Sequence, residues 1–401
     1  MMISKYRLEV PGLNYSLHGR PLVYCDWAAT SQMPQCVIDT VVTSMRFRAN
    51  IHRGVHSPGA KFGKEIEEAR GICARFIGAK SSELIFTSGS TQGLNILAQS
   101  AAQMLQKGDA IVLSAVEHHA NLLPWLRIAK EKELLCLILP MQPNGTMDLQ
   151  VLDEYLAHYP VKIIAVPLIS NILGSVQPIS EMVQRIQHRN IRVIVDAAQA
   201  VAHCPIRVQD LGVDALVFGG HKLYGPTGTG CLWIRSDWLA LLQPTMLGGG
   251  IVQSVCTPEY QLWEGYRAFE PGTPNIAGYL GLARAISWLE DIGWSSIQEQ
   301  EDQLRQYLQR ELESIPELEL LNRNPDIPLF CFALTDIHAH DIGTLLDLCG
   351  ILVRTGRHCV ESFHEAKGWE ASTRISLSFL NTLEECSFVV EQLRKSIRQL
   401  Q

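Results

Sequence analysis

Short apolar segments alternate with segments of helical spacing from about residue 60 to residue 235. Each apolar segment is bounded by polar or small residues, a pattern typical of buried strands. The predicted strands lie at 84–87, 110–116, 135–140, 161–168, 191–195 and 215–218, and the first helix of this region at 61–77. The alternation predicts a doubly wound α/β domain with a mainly parallel sheet.

The pattern changes after Gly250. Residues 251–275 are irregular, aromatic and marked by proline and glycine, which in a compact domain indicates a functional excursion. Helices are predicted at 276–292 and 295–314. The remainder follows the order strand, helix, strand, loop, strand, helix, and the last helix opens at Thr382 with a capping box. We therefore expect a large domain at 20–265 and a smaller α+β domain formed by 1–19 and 276–401.

The composition is that of a globular protein. Of the 401 residues, 47% are hydrophobic and 19% are charged, and this length suits one large and one smaller domain. The net charge of −7, without Lys/Arg blocks, argues against nucleic-acid and membrane-surface binding. No apolar run is long enough to span a bilayer, and the N-terminal segment lacks an apolar signal core, so we expect a cytoplasmic protein.

The 11 cysteines are scattered and include no Cys-x-x-Cys pair. An odd number in a chain of this kind argues against a disulfide framework and indicates reduced thiols, most of them packed as small hydrophobic residues. Cys359 differs from the others because Arg354, Arg357 and His358 flank it in a predicted loop. This electropositive setting favours a thiolate.

Polar side chains follow the predicted strands at the point where each strand ends. They are Ser90, Thr91, His118, Asn171, Asp196, Gln199, His221 and Lys222. Because ligands bind outside the carboxyl ends of parallel strands, we expect these groups to share one crevice. A lysine that forms a Schiff base and an aspartate for a pyridinium nitrogen are what pyridoxal 5′-phosphate (PLP) requires of its protein. The alternative is an ordinary ion pair between Asp196 and Lys222 at the sheet edge.

The chemistry of the neighbouring groups suggests a role for each. The turn at 88–91 precedes a helix, whose free N–H groups attract phosphate, and the hydroxyls of Ser90 and Thr91 add donors; an ordinary N-cap is the alternative. His118 suits stacking on the cofactor ring or moving a proton, although a single histidine is more often structural. Asn171 and Gln199 suit contacts with the phenolic oxygen of PLP or with substrate. Arg374 opens a strand without a carboxylate nearby in sequence and suits a substrate carboxylate, unless it is a surface arginine.

In this order and spacing the motifs resemble those of the cysteine desulfurases of the class V aminotransferase superfamily, and within them the Suf-type or cysteine sulfinate desulfinase branch. The resemblance covers nearly the whole chain, from Tyr24 to Thr382. Its most specific segments are 50–56 (NIHRGVH), 117–121 (EHHAN), 195–199 (VDAAQ), 220–228 (GHKLYGPTG), 271–275 (PGTPN) and 354–359 (RTGRHC).

The resemblance implies a fold-type I PLP-dependent transferase that works as a homodimer. Such a fold has a mixed, mostly parallel seven-stranded sheet with flanking helices, plus a smaller α+β domain carrying the cysteine loop. Lys222 would then bind PLP as a Schiff base, Asp196 would pair with the pyridine nitrogen, and His118 would stack on the ring. The other implied contacts are Gln199 with the phenolic oxygen, Thr91 and His221 with the phosphate, Thr273 of the excursion 251–275 with the phosphate of the partner subunit's cofactor, and Asn171, Arg354 and Arg374 with substrate.

The implied reaction converts L-cysteine to L-alanine. Lys222, His118 and Cys359 are the expected catalytic residues, and Cys359 would attack the substrate sulfur and carry a persulfide. The short interval between Cys359 and Arg374 matches the Suf-type branch and predicts a SufE-like acceptor protein, with the sulfur serving iron–sulfur or other cofactor synthesis. The family commonly has a phosphate-binding serine where this chain has Gly219. We therefore expect weaker PLP binding unless a water molecule or Ser90 supplies the missing donor.

The sequence leaves other functions open. Selenocysteine lyase and cysteine sulfinate desulfinase are alternatives on the same scaffold, because release of selenium or sulfite does not require the thiol. A plain transaminase has no use for Cys359. A dinucleotide-binding Rossmann protein is disfavoured because no G-x-G-x-x-G follows the first strand. Retention of Lys222, Asp196, His118 and Cys359 together argues against a cofactor-free scaffold protein, and no metal site is expected.

Overall fold

The computed structural model of the chain describes residues 2–47, 49–51, 56–187 and 189–401. Within the segment 50–56, His52, Arg53, Gly54 and Val55 lie outside the described residues. In the ranges described, no helix is both long and apolar enough to cross a membrane.

The strands are short in the peripheral parts and longer in the centre. In chain order they are β1 (Ser16–Leu17), β2 (Arg20–Pro21), β3 (Val23–Tyr24), β4 (Leu84–Thr87), β5 (Ala110–Ser114), β6 (Leu135–Leu139), β7 (Val161–Pro167), β8 (Arg192–Asp196), β9 (Ala215–Gly219), β10 (Gly230–Ile234), β11 (Val252–Cys256), β12 (Glu259–Leu262), β13 (Leu318–Leu320), β14 (Leu329–Leu334), β15 (Ile351–Leu352), β16 (Arg354–Gly356) and β17 (Ser372–Ser376).

Helices separate most of the strands. The α-helices are α1 (Met2–Leu8), α2 (Gln35–Arg46), α3 (Ser57–Phe76), α4 (Ser90–Ala102), α5 (His119–Lys132), α6 (Leu149–His158), α7 (Ile179–Arg185), α8 (Val208–Leu211), α9 (Ser236–Leu239), α10 (Ile276–Ile292), α11 (Trp294–Glu313), α12 (Ala339–Leu348), α13 (Glu361–Lys367) and α14 (Leu383–Leu400). Short 3-10 helices lie at Pro11–Asn14, Ser81–Glu83, Ala200–Ala202, Gly220–Lys222 and Gly265–Phe269.

Seven strands form the central sheet in the order β4-β10-β9-β8-β7-β5-β6. All neighbours are parallel except β10, which runs antiparallel to both β4 and β9. The predicted mixed, mostly parallel seven-stranded sheet is therefore confirmed. The six strands predicted from the apolar pattern are all present, with ends that differ by at most two residues. The pattern did not mark β10 as a strand, because its place between β4 and β9 is set by long-range pairing.

Both faces of this sheet are buried, because successive side chains of a strand point to opposite faces. Val112, Ile164 and Val193 pack into one core, whereas their neighbours on the same strands, such as Ile111 and Ile163, pack into the other. Helices cover both faces. The carboxyl ends of the parallel strands are therefore the natural place for polar side chains.

A second, antiparallel sheet forms in the order β13-β14-β17-β16. Its core includes residues of α11, α12 and α14, such as Leu304, Ile342 and Leu393. α14 begins after Thr382, which accepts a hydrogen bond from the Glu385 N–H, so the predicted capping box is confirmed. The element order predicted for this region was incomplete, because the predicted loop contains α13 and two strands, not one, precede α12.

Residues 251–275 are more regular than the prediction of an irregular stretch. They contain the hairpin of β11 and β12 and the 3-10 helix Gly265–Phe269. The hairpin leaves apolar side chains in solvent, with Val255 65% and Tyr260 58% exposed. A strand pair without a buried face has no alternation of buried and exposed positions for the sequence to display.

Candidate active site

A cavity of about 310 Å³ lies at the carboxyl ends of the parallel strands and is closed on one side by residues of the small sheet. It brings together 11 of the 12 residues predicted for the site: Ser90, Thr91, His118, Asn171, Asp196, Gln199, His221, Lys222, Arg354, Cys359 and Arg374. The twelfth, Thr273, lines a neighbouring cavity with Ser88 and Gln92. The predicted crevice is thus present within one chain, apart from the residue assigned to the partner subunit.

Asp196 and Lys222 face this cavity from adjacent strands. Asp196 ends β8 and its Oδ1 accepts a hydrogen bond from the Ala198 N–H at 2.9 Å. Lys222 ends the 3-10 helix that follows β9. The two groups do not form a direct ion pair among the described residues, so the alternative of an ordinary ion pair at the sheet edge is not what the structure shows.

Burial changes the proton affinities of both groups. It lowers the pKa of Lys222 to about 8; Arg374 and Arg354 act in the same direction, and Asp196 opposes them. Burial also raises the pKa of Asp196, while the Ala198 N–H and Lys222 act against that rise. A lysine with a lowered pKa is a better nucleophile near neutral pH. A carboxylate of raised basicity suits a hydrogen bond to a protonated pyridine nitrogen.

His118 precedes α5 and caps it. Its Nδ1 accepts a hydrogen bond from the Ala120 N–H at 3.1 Å, so the neutral ring carries its proton on Nε2. Burial lowers the pKa of His118 to about 4, and the positive charge of Lys222 acts in the same direction. The ring is therefore neutral at physiological pH, which suits stacking on a flat cofactor.

Glu117 anchors this part of the site and was not assigned a role from the sequence. Its carboxyl accepts hydrogen bonds from the Ser114 hydroxyl at 2.7 Å and the Asn121 amide at 2.8 Å, and the residue is 2% exposed. Burial raises the pKa of Glu117 to about 8, against the effect of these donors. Glu117 thus ties the end of β5 to α5 and fixes the position of His118.

The turn before α4 offers a site for phosphate. α4 begins at Ser90, and its first N–H groups lack partners within the helix, as at every helix start. The Ser90 Oγ is buried and has no hydrogen-bond partner among the described residues. A Cβ on Gly219 would lie 3.1 Å from this oxygen, so Ser90 occupies the space beside the glycine. An orphaned hydroxyl beside free N–H groups fits the phosphate of PLP.

Arg374 has a carboxylate partner that the sequence did not indicate. Its Nη2 lies 3.2 Å from Asp26 Oδ1, and its Nη1 donates to the backbone oxygen of Asn171 at 3.0 Å. Arg354 reaches the other oxygen of Asp26 at 3.6 Å. The Arg374 side chain is 3% exposed, and its Nε has no partner among the described residues. The alternative of a surface arginine was therefore wrong, and a free donor remains in a buried guanidinium.

Cys359 lies in a tight turn between β16 and α13. It is exposed, whereas the preceding residue, His358, is 7% exposed. Both have left-handed backbones, with φ of 51° for His358 and 58° for Cys359. The central-sheet side holds the turn at two points: the His119 N–H donates to the Cys359 oxygen at 3.0 Å, and the Asn171 amide donates to the His358 oxygen at 2.9 Å.

The electropositive setting predicted for Cys359 is weaker than the sequence suggested. Arg357 lies 3.3 Å from Glu365 and 3.5 Å from Glu361, and Arg354 pairs with Asp26. These carboxylates come from helix α13 and from the segment after β3, so their proximity to the arginines depends on the fold.

Comparisons with known proteins agree with this fold. A model of the class-V aminotransferase family matches residues 23–389. The chain belongs to this family, whose members depend on PLP. Its similarity to individual members extends over the full length.

A probable cysteine desulfurase from Xylella fastidiosa is 38% identical over 400 residues, covering 99% of this chain and 96% of the relative. A cysteine desulfurase from Escherichia coli is 37% identical over 402 residues, covering 99% of both chains.

Solved structures show the same similarity. The apo cysteine desulfurase from Thermococcus onnurineus superposes with a TM-score of 0.92 at 32% identity, covering 98% of each chain. The Escherichia coli cysteine desulfurase CsdA superposes with a TM-score of 0.91 at 29% identity, covering 99% of this chain and 98% of that one. The predicted fold-type I architecture is confirmed.

Proposed function

We propose that the chain is a PLP-dependent cysteine desulfurase that converts L-cysteine to L-alanine and carries the sulfur as a persulfide on Cys359. The observation that carries this proposal is the position of Cys359 in the same cavity as Lys222 and Asp196. The relatives of matching length are cysteine desulfurases. A plain aminotransferase would have no use for a thiol at this position.

The residues of the cavity divide into a cofactor set and a substrate set. Lys222, Asp196, Gln199, His118, Ser90, Thr91 and His221 would hold PLP, joined by Thr273 of the partner subunit, while Asn171, Arg354 and Arg374 would hold substrate. When bound, PLP supplies an electron sink for the substrate Cα. The free Nε of Arg374 suits the substrate carboxylate, because a guanidinium binds carboxylates in a planar geometry.

Two steps of the reaction depend on residues of the protein, Lys222 and Cys359. Lys222 takes the proton from the substrate Cα, and a lysine with a pKa of about 8 is matched to that transfer near neutral pH. The Cys359 thiolate attacks the substrate sulfur, so an S–S bond forms and the Cβ–S bond breaks. The electron pair of the broken bond stays on carbon, which takes up protons to give alanine. No external oxidant or reductant is needed, because Cβ retains the two electrons that the sulfur loses when the S–S bond forms.

Replacing Cys359 tests the proposal. Cys359→Ala should abolish alanine formation from cysteine but retain turnover of cysteine sulfinate and selenocysteine, whose release of sulfite or selenium does not require the thiol. Cys136→Ala, a change at a cysteine of the edge strand β6 that does not line the cavity, is the matched control and should leave cysteine turnover unchanged. Full cysteine turnover by Cys359→Ala, or loss of all three activities, would refute the role assigned to Cys359.

The cofactor assignment has its own test. The purified protein should be yellow, and borohydride should bleach the colour and fix the cofactor to Lys222. Lys222→Ala should bind PLP only without a covalent bond. A colourless protein that does not take up PLP would exclude the proposal.

We further propose that the chain belongs to the Suf-type or cysteine sulfinate desulfinase branch and passes its sulfur to a SufE-like acceptor. The turn carrying Cys359 is held at both ends by β16 and α13 and is anchored to His119 and Asn171. Such a turn gives Cys359 little reach, so the acceptor must approach it. If the isolated enzyme turned over cysteine as fast as it does with a SufE-like acceptor, this proposal would fail. Selenocysteine lyase or cysteine sulfinate desulfinase activity on the same scaffold remains the alternative.

The setting of the enzyme is also part of the proposal. All 11 cysteines are free, which suits a reducing compartment such as the cytoplasm, where the persulfide would serve iron–sulfur or other cofactor synthesis. We propose a homodimer in which the excursion 251–275 brings Thr273 to the partner subunit. The proposed domains are 20–265 for PLP and 1–19 with 276–401 for the cysteine loop. Helix α10 packs against α2 and α3 and connects the two.

A further inference from the structure

Two histidines and a serine form a buried chain of hydrogen bonds behind the Cys359 turn. His358 Nε2 lies 3.0 Å from the Ser372 Oγ, and the same oxygen lies 2.9 Å from His364 Nε2. His364 Nδ1 lies 3.0 Å from the Val360 backbone oxygen. The three side chains come from the turn, from β17 and from α13, and their exposures are 7%, 0% and 1% for His358, Ser372 and His364.

The direction of each hydrogen bond in this series follows from the Val360 carbonyl at one end of it. The Val360 carbonyl can only accept, so His364 Nδ1 carries the proton, and its Nε2 must accept the Ser372 hydroxyl. The Ser372 oxygen then accepts from His358 Nε2–H. Two other acceptors lie near the hydroxyl. The Gly356 oxygen is farther away, at 3.4 Å, and the Cys331 sulfur is a weaker acceptor than an imidazole nitrogen.

Both rings are neutral in this arrangement. Burial lowers the pKa of His358 to about 2, with Arg374 acting in the same direction, and burial also lowers the pKa of His364. His358 Nδ1 is left as a buried acceptor without a partner among the described residues. Among the described residues, Ser372 is therefore the hydrogen-bond partner that holds the His358 ring.

The backbone conformation of the turn explains why the position of the His358 ring matters. His358 and Cys359 are consecutive left-handed residues with side chains, a conformation that sterics disfavour and that persists only when surrounding contacts impose it. The contacts from His119 and Asn171 restrain the two carbonyl groups of the turn. The His358 ring is the side-chain anchor on the opposite side, toward β17 and α13.

We propose that Ser372 and His364 are positioning residues that act through His358 to hold Cys359 where it meets the substrate sulfur. This inference rests on the proposed function, since it concerns the nucleophile of that reaction. Neither residue lines the cavity, so neither touches substrate or cofactor. Without their hydrogen bonds the turn would relax toward ordinary backbone angles and displace the thiol.

Paired variants of the holoenzyme test the proposal. Ser372→Ala and His364→Ala should each lower kcat for cysteine by about tenfold or more, because a displacement of about 1 Å can cost on the order of a hundredfold in rate. KM for cysteine, PLP absorbance and turnover of cysteine sulfinate should stay unchanged. His364→Gln keeps an acceptor for the Ser372 hydroxyl and should restore most of the rate. Ser396→Ala, which removes a buried hydroxyl in α14, is the control and should have no effect.

Equal loss of cysteine and sulfinate turnover, or no loss in either, would overturn the proposal. These results differ from the result expected if the proposed function itself were wrong. In that case Cys359→Ala would retain cysteine turnover.

A measurement on the unmodified holoenzyme tests the proposal even if the variants do not fold. Long-range proton–nitrogen NMR spectra of histidine-labelled protein should show His358 as the Nε2–H tautomer and His364 as the Nδ1–H tautomer. The opposite tautomer at either ring, or a charged ring at neutral pH, would contradict the hydrogen-bond directions on which the proposal stands.

Discussion

At the scale of single residues, Lys222 and His118 hold their protons less tightly than they would in water. Burial is the first cause for both, and neighbouring positive charge is the second: Arg374 and Arg354 act on Lys222, and Lys222 acts on His118. His118 is therefore neutral at physiological pH, whereas Lys222 carries a larger neutral fraction near neutral pH than a free lysine would.

The rate at which the apoenzyme takes up PLP should follow the titration of Lys222. Only the neutral amine attacks the aldehyde of PLP, so the rate should rise with pH and level off above a pH of about 8. Absorbance after rapid mixing measures this rate, and an N-acetylated lysine amide is the control, with a rate that rises up to about pH 10. An apoenzyme profile like that of the free amide would show that Lys222 is not perturbed.

Gly219 offers no hydroxyl to the proposed phosphate site, so Ser90 is the expected phosphate donor. Ser90→Ala should weaken PLP binding on the order of tenfold to a hundredfold, the value of one hydrogen bond to a charged acceptor. Gly219→Ser should recover part of this loss in the Ser90→Ala background, where the alanine frees space beside the new side chain. In the unmodified chain the gain should be smaller, because a Cβ at 219 meets the Ser90 Oγ at 3.1 Å.

Equilibrium dialysis of PLP measures all of these affinities. Ser100→Ala is the matched control, because it removes a buried hydroxyl from the same helix, far from its start. Unchanged PLP affinity in Ser90→Ala would refute the assignment.

At the scale of elements, one buried ion pair connects helix α3 to the segment that leads to Thr273. Arg70 donates to both oxygens of Glu270, at 2.5 and 2.9 Å, and to the Leu84 carbonyl at 3.0 Å. The guanidinium lies between the rings of Phe86 and Tyr266. Helix, strand and excursion are thus joined at one point, three residues before Thr273.

Breaking this pair should destabilise the fold. Glu270→Gln leaves the buried Arg70 charge with only the half-exposed carboxylate of Glu67, at 3.3 Å, as its counter-ion and should lower the free energy of unfolding by about 3 kcal/mol. Urea unfolding measures the change. Glu65→Gln removes the partner of Lys61 in an exposed pair of 3.8 Å and should change stability by no more than about 0.5 kcal/mol. Equal effects of the two variants would contradict the argument.

At the scale of the whole molecule, the hairpin of β11 and β12 carries apolar side chains that one chain leaves exposed. Val255 and Tyr260 are paired on it, and Met246 and Leu247, which precede it in sequence, are 52% and 55% exposed. A cluster of this kind is typical of a contact surface. It lies in the region from which the proposed dimer would deliver Thr273.

Light scattering should therefore give a mass of 89.4 kDa, twice the 44.7 kDa of the chain. Carboxylates at the centre of a contact surface oppose association, so Val255→Asp combined with Tyr260→Asp should shift the mass toward 44.7 kDa and weaken PLP retention. Leu348→Asp, at an exposed apolar residue of α12, should leave the mass unchanged. A monomeric parent protein would contradict the dimer proposal.

The sequence by itself predicted the parallel strands and the polar residues that follow them. Buried parallel strands are continuous apolar runs, and their carboxyl ends must meet at one edge of the sheet. The positions of His118, Asp196 and Lys222 around one cavity were therefore predictable from local pattern and one topological rule. The resemblance to a known family supplied their individual roles, which remain predictions.

The tertiary structure alone decided which charges are paired and which groups are neutral. Asp26 pairs with Arg374 across 348 positions of sequence, and Asn171 binds the His358 carbonyl across 187 positions. Proton affinity and ion pairing depend on the dielectric surroundings and on neighbours within a few ångströms, and neither is encoded in local spacing. For the same reason the sequence predicted Cys359 as the nucleophile, whereas the contacts that fix the position of its thiol emerged only when distant segments came together.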